Sequence, residues 1–241
     1  MKLLSIGNSF STDAHRFLHI LARQNSFALD TANLFIGGCS LKTHWHNVCK
    51  NNAYYDYELN GNEGQLKIGI RQALEVEKWD VVTLQQASAD SGMYDSYHPY
   101  LSSLAKLVRE LQPQARLYFH QTWSYENGSR HPGFLNYGRD SRKMFESIVS
   151  ASAKAAESIG ADLIATGTVI QYLRENEKVF DYQNGGISLC RDTFHLSETY
   201  GRYAAAATWL HTLTGEEFIA KEFGGMDINL LEVIAKAVNG R

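Results

Sequence analysis

Leu3-Leu4-Ser5-Ile6-Gly7-Asn8-Ser9-Phe10-Ser11-Thr12-Asp13 lies almost at the start of the chain. Leu3 to Ile6 reads as a short buried strand, and Gly7 lets the backbone turn sharply as it leaves that strand. Ser11-Thr12-Asp13 then offers a cap for a helix whose apolar positions, Phe17, Leu18 and Leu21, recur at helical spacing. Strand, tight turn and helix together put the Ser9 hydroxyl at the junction, where the first N–H groups of a helix point outward.

The theme repeats along the chain. Leu34-Phe35-Ile36 ends in Gly37-Gly38, Val81-Val82-Thr83-Leu84 in Gln85-Gln86, and Leu117-Tyr118-Phe119 in Gln121-Thr122-Trp123. A fifth run, Leu163 to Thr166, follows a helix predicted from Asp140 to Ser158. Strands alternating with helices predict an α/β fold: a three-layer α/β/α sandwich with a five-stranded parallel sheet, as one domain over residues 1–241. Ligands of such sheets bind beyond the carboxyl ends of the strands, which gathers Ser9, Gly38, Gln86, Trp123 and Thr168 on one rim. Polar turns follow strands in any protein, so each of these residues alone has a purely structural reading, and only the set points to a site. Long loops are predicted at residues 40–64, 87–99 and 123–139. They carry Trp45, Tyr54, Tyr55, Tyr57, Tyr94, Tyr97, Trp123 and Tyr125, an aromatic content that argues against disorder.

Near the other end stands Asp192-Thr193-Phe194-His195. The Asp-x-x-His spacing lets both side chains point the same way from one irregular turn, so the carboxylate can hold one ring nitrogen while the other faces Ser9. Ser197 can cap a following helix that holds Ala204 to Ala207 and stops at Gly215. His195 would then sit just before a helix N-terminus, whose partial positive charge disfavours the imidazolium. A last helix is predicted from Ile228 to Val238. Ser9, His195 and Asp192 thus form a nucleophile, a base and an orienting acid, the parts needed for acyl transfer. Two other readings stay open: a phosphate- or flavin-binding turn of flavodoxin type at Ser9, and a non-catalytic glycan-binding module.

Gly7-Asn8-Ser9-Phe10-Ser11 resembles the nucleophile block of the SGNH, or GDSL, hydrolases, and Arg191 to Ser197 resembles their terminal Asp-x-x-His block. Order and placement agree, and the resemblance spans residues 1–215. Asn8 in place of the usual aspartate, together with Gln85-Gln86, is more similar to a divergent branch of unassigned function than to well-known lipases. The resemblance implies a flavodoxin-like fold and a serine esterase whose oxyanion hole is formed by the serine N–H, a glycine N–H from the second block and a side-chain amide from the third. Gly38 matches the second block. The third departs from pattern, because Leu84-Gln85-Gln86-Ala87-Ser88 has no asparagine; Gln86 is the expected donor, since strand alternation turns only one of the two glutamines to the cleft.

Composition narrows the partners. The net charge is −3, with 23 lysines and arginines against 26 acids, so no basic face is expected for nucleic acid. No apolar run reaches membrane-spanning length and no secretory leader is evident, which suggests a cytoplasmic protein. Cys39, Cys49 and Cys190 read as reduced thiols, with Cys39 in packing. His44-Trp45-His46 would share a face on a strand, but spacing suggests no third ligand, so no metal and no organic cofactor are expected. His15 reads as a helix-face residue and His120 as a core or cleft-rim histidine. Trp45, Trp123 and Tyr125 could stack on sugar rings, or close a small core beneath the loops. The expected substrate is a small acyl ester, with O-acetyl groups of a saccharide as the leading candidate.

Overall fold

β1 (Lys2–Gly7) divides the molecule by its alternation: Leu3 enters one apolar core, Leu4 and Ile6 the other. The computed structural model describes residues 1–64 and 66–240. After β1 come α1 (Ser9–Gln24), β2 (Asp30–Phe35), α2 (Leu41–Lys50), β3 (Tyr55–Leu59), β4 (Lys67–Ile68), α3 (Ile70–Glu75) and β5 (Val81–Leu84). The second half adds α4 (Tyr100–Leu111), β6 (Arg116–His120), α5 (Ser141–Ser158), β7 (Asp162–Ile164), α6 (Thr166–Asn176), α7 (Tyr200–Thr214) and α8 (Ile228–Asn239).

The strands form one sheet in the order β4-β3-β2-β1-β5-β6-β7. The five predicted strands are all present and mutually parallel. The five-stranded parallel sheet is nevertheless corrected to a mixed sheet of seven, because β3 and β4 add antiparallel pairs beyond β2. β3, and α2 before it, occupy most of the predicted 40–64 loop. Leu41, His44 and Val48 are buried at helical spacing along α2, a pattern masked by the polar residues between them. The segments at 87–99 and 123–139 hold only short 3-10 turns.

Helices cover both faces. Buried side chains of α1, α6, α7 and α8 fill the core under Leu3, whereas α2, α3 and α4 fill the one under Leu4 and Ile6. α5 serves both, with Met144 and Ile148 in the first and Ala151 and Ala155 in the second. Each fully buried Leu or Phe contributes roughly 1.5–3 kcal/mol relative to exposure, which offsets the cost of ordering the loops above the sheet. Asp140 caps α5, accepting from the N–H groups of Arg142 and Lys143, and Gly215 at φ +71° ends α7 where the sequence predicted its stop. Ser197 accepts from Gly201 N–H, although α7 itself starts only at Tyr200. Among the described residues no helix is long and apolar enough to cross a membrane.

Candidate active site

Asn8, not Ser11-Thr12-Asp13, caps α1, so the helix begins at Ser9 itself. Asn8 Oδ1 accepts from Phe10 N–H at 3.0 Å, and Ser11 Oγ accepts from Asn8 N–H at 3.0 Å, a reciprocal cap that fixes the turn. The same side chain ties three segments together. Its Nδ2 donates to the Cys39 carbonyl at 3.1 Å, holding the Gly38 turn, and its Oδ1 also accepts from Gln85 Nε2 at 2.7 Å. Gln85 is oriented in turn by His120, whose Nδ1 lies 2.7 Å from Gln85 Oε1 while Nε2 lies 3.1 Å from Thr166 Oγ1. A ring proton on Nδ1 satisfies the whole chain of donors and acceptors.

The late turn is held to that helix by Asp13, which is 1 % exposed. Asp13 accepts from Leu196 N–H at 2.9 Å, from Arg191 Nη1 at 2.9 Å and from Arg202 Nε at 2.8 Å. Glu126 N–H donates to the Thr193 carbonyl and Trp123 Nε1 to the Phe194 carbonyl. Thr193 has φ +73°, a left-handed conformation that lets the chain fold back so that Asp192 and His195 face one another. Asp192 Oδ1 accepts from the N–H groups of Phe194 and His195, and Oδ2 lies 2.7 Å from His195 Nδ1. Burial opposes ionisation of Asp192, but the ring and the backbone donors outweigh it and its pKa is lowered. The other ring nitrogen, His195 Nε2, lies 2.9 Å from Ser9 Oγ. Ser9, His195 and Asp192 are therefore brought together in hydrogen-bonded order.

The residues expected to form an oxyanion hole divide. Ser9 N–H stands at the first position of α1, and Gly38, exposed and at φ +62°, is held beside it through Asn8 and Cys39. Among the described residues neither N–H has a hydrogen-bond partner. Gln86 is not brought to the site: it is 1 % exposed, its Nε2 donates to Ser96 and its Oε1 accepts from Leu41 N–H and Ala87 N–H. The alternation that was expected to aim it at the cleft instead makes it a brace for α2, and Gln85 is spent on Asn8.

The aromatic expectation also changes. Trp123 and Tyr125 are 0 % exposed and offer no face to a ligand. Trp123 stacks on Phe10 at 4.2 Å, and Tyr125 packs on Phe134 and Phe194 with its hydroxyl 2.7 Å from Ser88 Oγ. Trp45 is half-buried against the core on the α2 side. The rings of Trp123 and Tyr125 hold the loops that position Phe194 and His195. α7 starts at Tyr200, five positions after His195, and not directly after it as expected.

The remaining polar residues fall into place as structure. His44 and His46 lie on a helix, not a strand; His44 is buried against Tyr55 and His46 is exposed. Among the described residues no group of three or more His, Cys, Asp or Glu is arranged to hold a metal ion. His15 is buried, with Nε2 2.7 Å from Ser5 Oγ, and burial lowers the pKa of His15, His44 and His120 to about 3. Cys39 is buried and its thiol is pushed up to about 12, so it packs rather than reacts. A cleft of about 480 Å³ opens beside Ser9 and His195, with Thr12, Arg16, Phe35, Glu58 and Arg191 among its walls. Glu58 carried no sequence signal of a site, because β3 itself was unrecognised, and Phe35 read as a residue of β2 with no role at a site.

The family model described as "Domain of unknown function (DUF4886)" matches residues 2–237. A DUF4886 family protein from Bacteroides uniformis is 37% identical, with TM-score 0.91, covering 100% of this chain and 93% of that one. A protein from Slackia heliotrinireducens described as a candidate SGNH hydrolase shares 22% identity at TM-score 0.61, over 88% of this chain and 98% of its own. A mutant of Axe2, an acetyl-xylooligosaccharide esterase from Geobacillus stearothermophilus, shares 15% at TM-score 0.56, over 92% and 97%. The latter two likenesses speak for the fold alone. No curated protein matches the chain. With the family model matching residues 2–237 and the 37% identical relative matched over the whole of this chain, the chain belongs to the DUF4886 family, and its fold is like that of SGNH-type hydrolases.

Proposed function

We propose that the protein is a serine ester hydrolase acting through an acyl-enzyme on small acyl esters, with O-acetyl groups of saccharides as the substrate class. The observation that carries this reading is the 2.9 Å hydrogen bond between Ser9 Oγ and His195 Nε2, with Asp192 at 2.7 Å from the other ring nitrogen. A phosphate- or flavin-binding turn has no need of that arrangement, and neither does a glycan-binding module.

In the proposed reaction Ser9 Oγ attacks the acyl carbonyl carbon while His195 Nε2 takes the hydroxyl proton. Asp192 keeps the Nδ1–H tautomer and offsets the charge that forms on the ring. Ser9 N–H and Gly38 N–H would receive the oxyanion. The tetrahedral adduct collapses as His195 returns the proton to the departing alcohol. Water then gives a proton to His195 and attacks the acyl-Ser9, and Oγ recovers the proton as the carboxylic acid leaves. The named esterase among the fold neighbours acts on acetylated xylo-oligosaccharides, which lends the substrate class its support.

Ser9→Ala should abolish hydrolysis of p-nitrophenyl acetate and labelling by a fluorophosphonate while the far-UV circular dichroism stays unchanged. Equal turnover in that variant would remove the proposal.

A further inference from the structure

Strand alternation aims four side chains of the β2–β3 pair at one place. Asn33 pairs with Glu58 and Phe35 with Asp56 across the ladder, so all four stand on the same face, next to Thr12 and Arg16 of α1. Glu58 is 6 % exposed, and its Oε2 is fixed by Asn33 Nδ2 at 2.7 Å and Thr12 Oγ1 at 2.9 Å. Its Oε1 has no hydrogen-bond partner among the described residues, and Glu58 lines the cleft beside Ser9. A held carboxylate with one oxygen free is a prepared hydrogen-bond acceptor, because the cost of ordering it is met before any ligand arrives.

The cleft fits one class of occupant better than others. Among the described residues of its wall Phe35 is the one large apolar side chain, which gives an alkyl chain little surface to bury but gives a sugar ring a face to stack on. Arg16, Arg191 and Arg202 stand with Asp13, Asp56, Glu58, Glu63 and Glu198, so a ligand of either net charge meets its like, whereas hydroxyls can both accept and donate. A volume of about 480 Å³ lies within the range of small-molecule sites. The cleft reaches His195 but not Gly38. It therefore lies on the side where the ring must hand its proton to the departing alcohol, away from the Gly38 N–H.

We propose that this cleft is the alcohol subsite of the enzyme, that it takes an uncharged saccharide ring, and that Glu58 is its specificity-determining residue. The assignment to the alcohol side rests on the esterase reading above; recognition of the ring does not. The test therefore uses Ser9→Ala, which binds without turnover, titrated with methyl β-glucoside, methyl β-xyloside and methyl β-galactoside and followed by ligand NMR. At least one glycoside should bind, and Glu58→Gln in the same background should weaken it about tenfold, because the cleft-facing acceptor becomes a donor while the acceptor for Asn33 and Thr12 is kept. Phe35→Leu should weaken it as well, and it carries the test if Glu58→Gln melts at a much lower temperature. Absence of binding by all three glycosides would overturn the proposal, as would affinity untouched by both substitutions or tighter binding of choline or glucuronate. Failure of the wild-type protein to take a fluorophosphonate label at Ser9, with glycoside binding by Ser9→Ala intact, would sink the esterase reading instead.

Discussion

Asn8 shows how much one side chain can decide. An aspartate there would present two acceptors, one of them facing the Cys39 carbonyl that Asn8 Nδ2 now serves. Asn8→Asp should cost roughly 1–3 kcal/mol in folding stability, the usual penalty for a buried polar group left unmatched, and lower kcat because the Gly38 turn loses its tie. Urea denaturation and steady-state kinetics measure the two effects. Asp192→Asn acts differently: it keeps the shape but no longer favours the Nδ1–H tautomer. Turnover should fall by roughly 10² to 10⁴ with KM little changed.

The turn carrying Asp192 and His195 is the element most exposed to strain. Thr193 is β-branched and sits at φ +73°, a conformation that costs about 1–2 kcal/mol for such a residue. Thr193→Gly should raise the melting temperature by a few degrees. An unchanged or lower value would mean that the threonine is not held under strain. At this scale the sequence was partly legible. Gly7 to Ser11 and Asp192 to His195 announced their roles because turn chemistry and short spacing are local properties. β3 was not legible: only Tyr55 and Glu58 are buried on it, and a buried glutamate reads as exposed until Asn33 and Thr12 are known to meet it. Gln86 misled for a related reason, since alternation gives a face but not the neighbour, here Ser96, that claims the amide. Trp123 and Tyr125 were placed near the site, but whether they stack on a sugar or close a small core stayed open, because aromatic side chains in a loop look alike whether they face a ligand or a core.

At the scale of the whole molecule, three wholly buried histidines couple stability to pH. His15, His44 and His120 are held neutral by burial, with pKa values lowered to about 3, against about 6.5 in an unfolded chain. The unfolded state therefore binds more protons below about pH 6.5, and the stability these rings allow at neutral pH is lost as pH falls from there toward 3. Together they set a slope of up to about 4 kcal/mol per pH unit across that window. Glu58, its pKa raised by burial, works in the opposite sense. Urea midpoints should drop steeply between pH 7 and pH 5, and a flat profile would contradict neutral buried rings.

The hydrogen bond between Ser9 and His195 spans 186 positions of sequence. During translation the serine leaves the ribosome early, while its imidazole is among the late arrivals. A nascent chain stalled anywhere before Asp192 carries a hydroxyl with nothing to draw off its proton. Premature release from the ribosome thus yields no fragment able to perform the proposed hydrolysis.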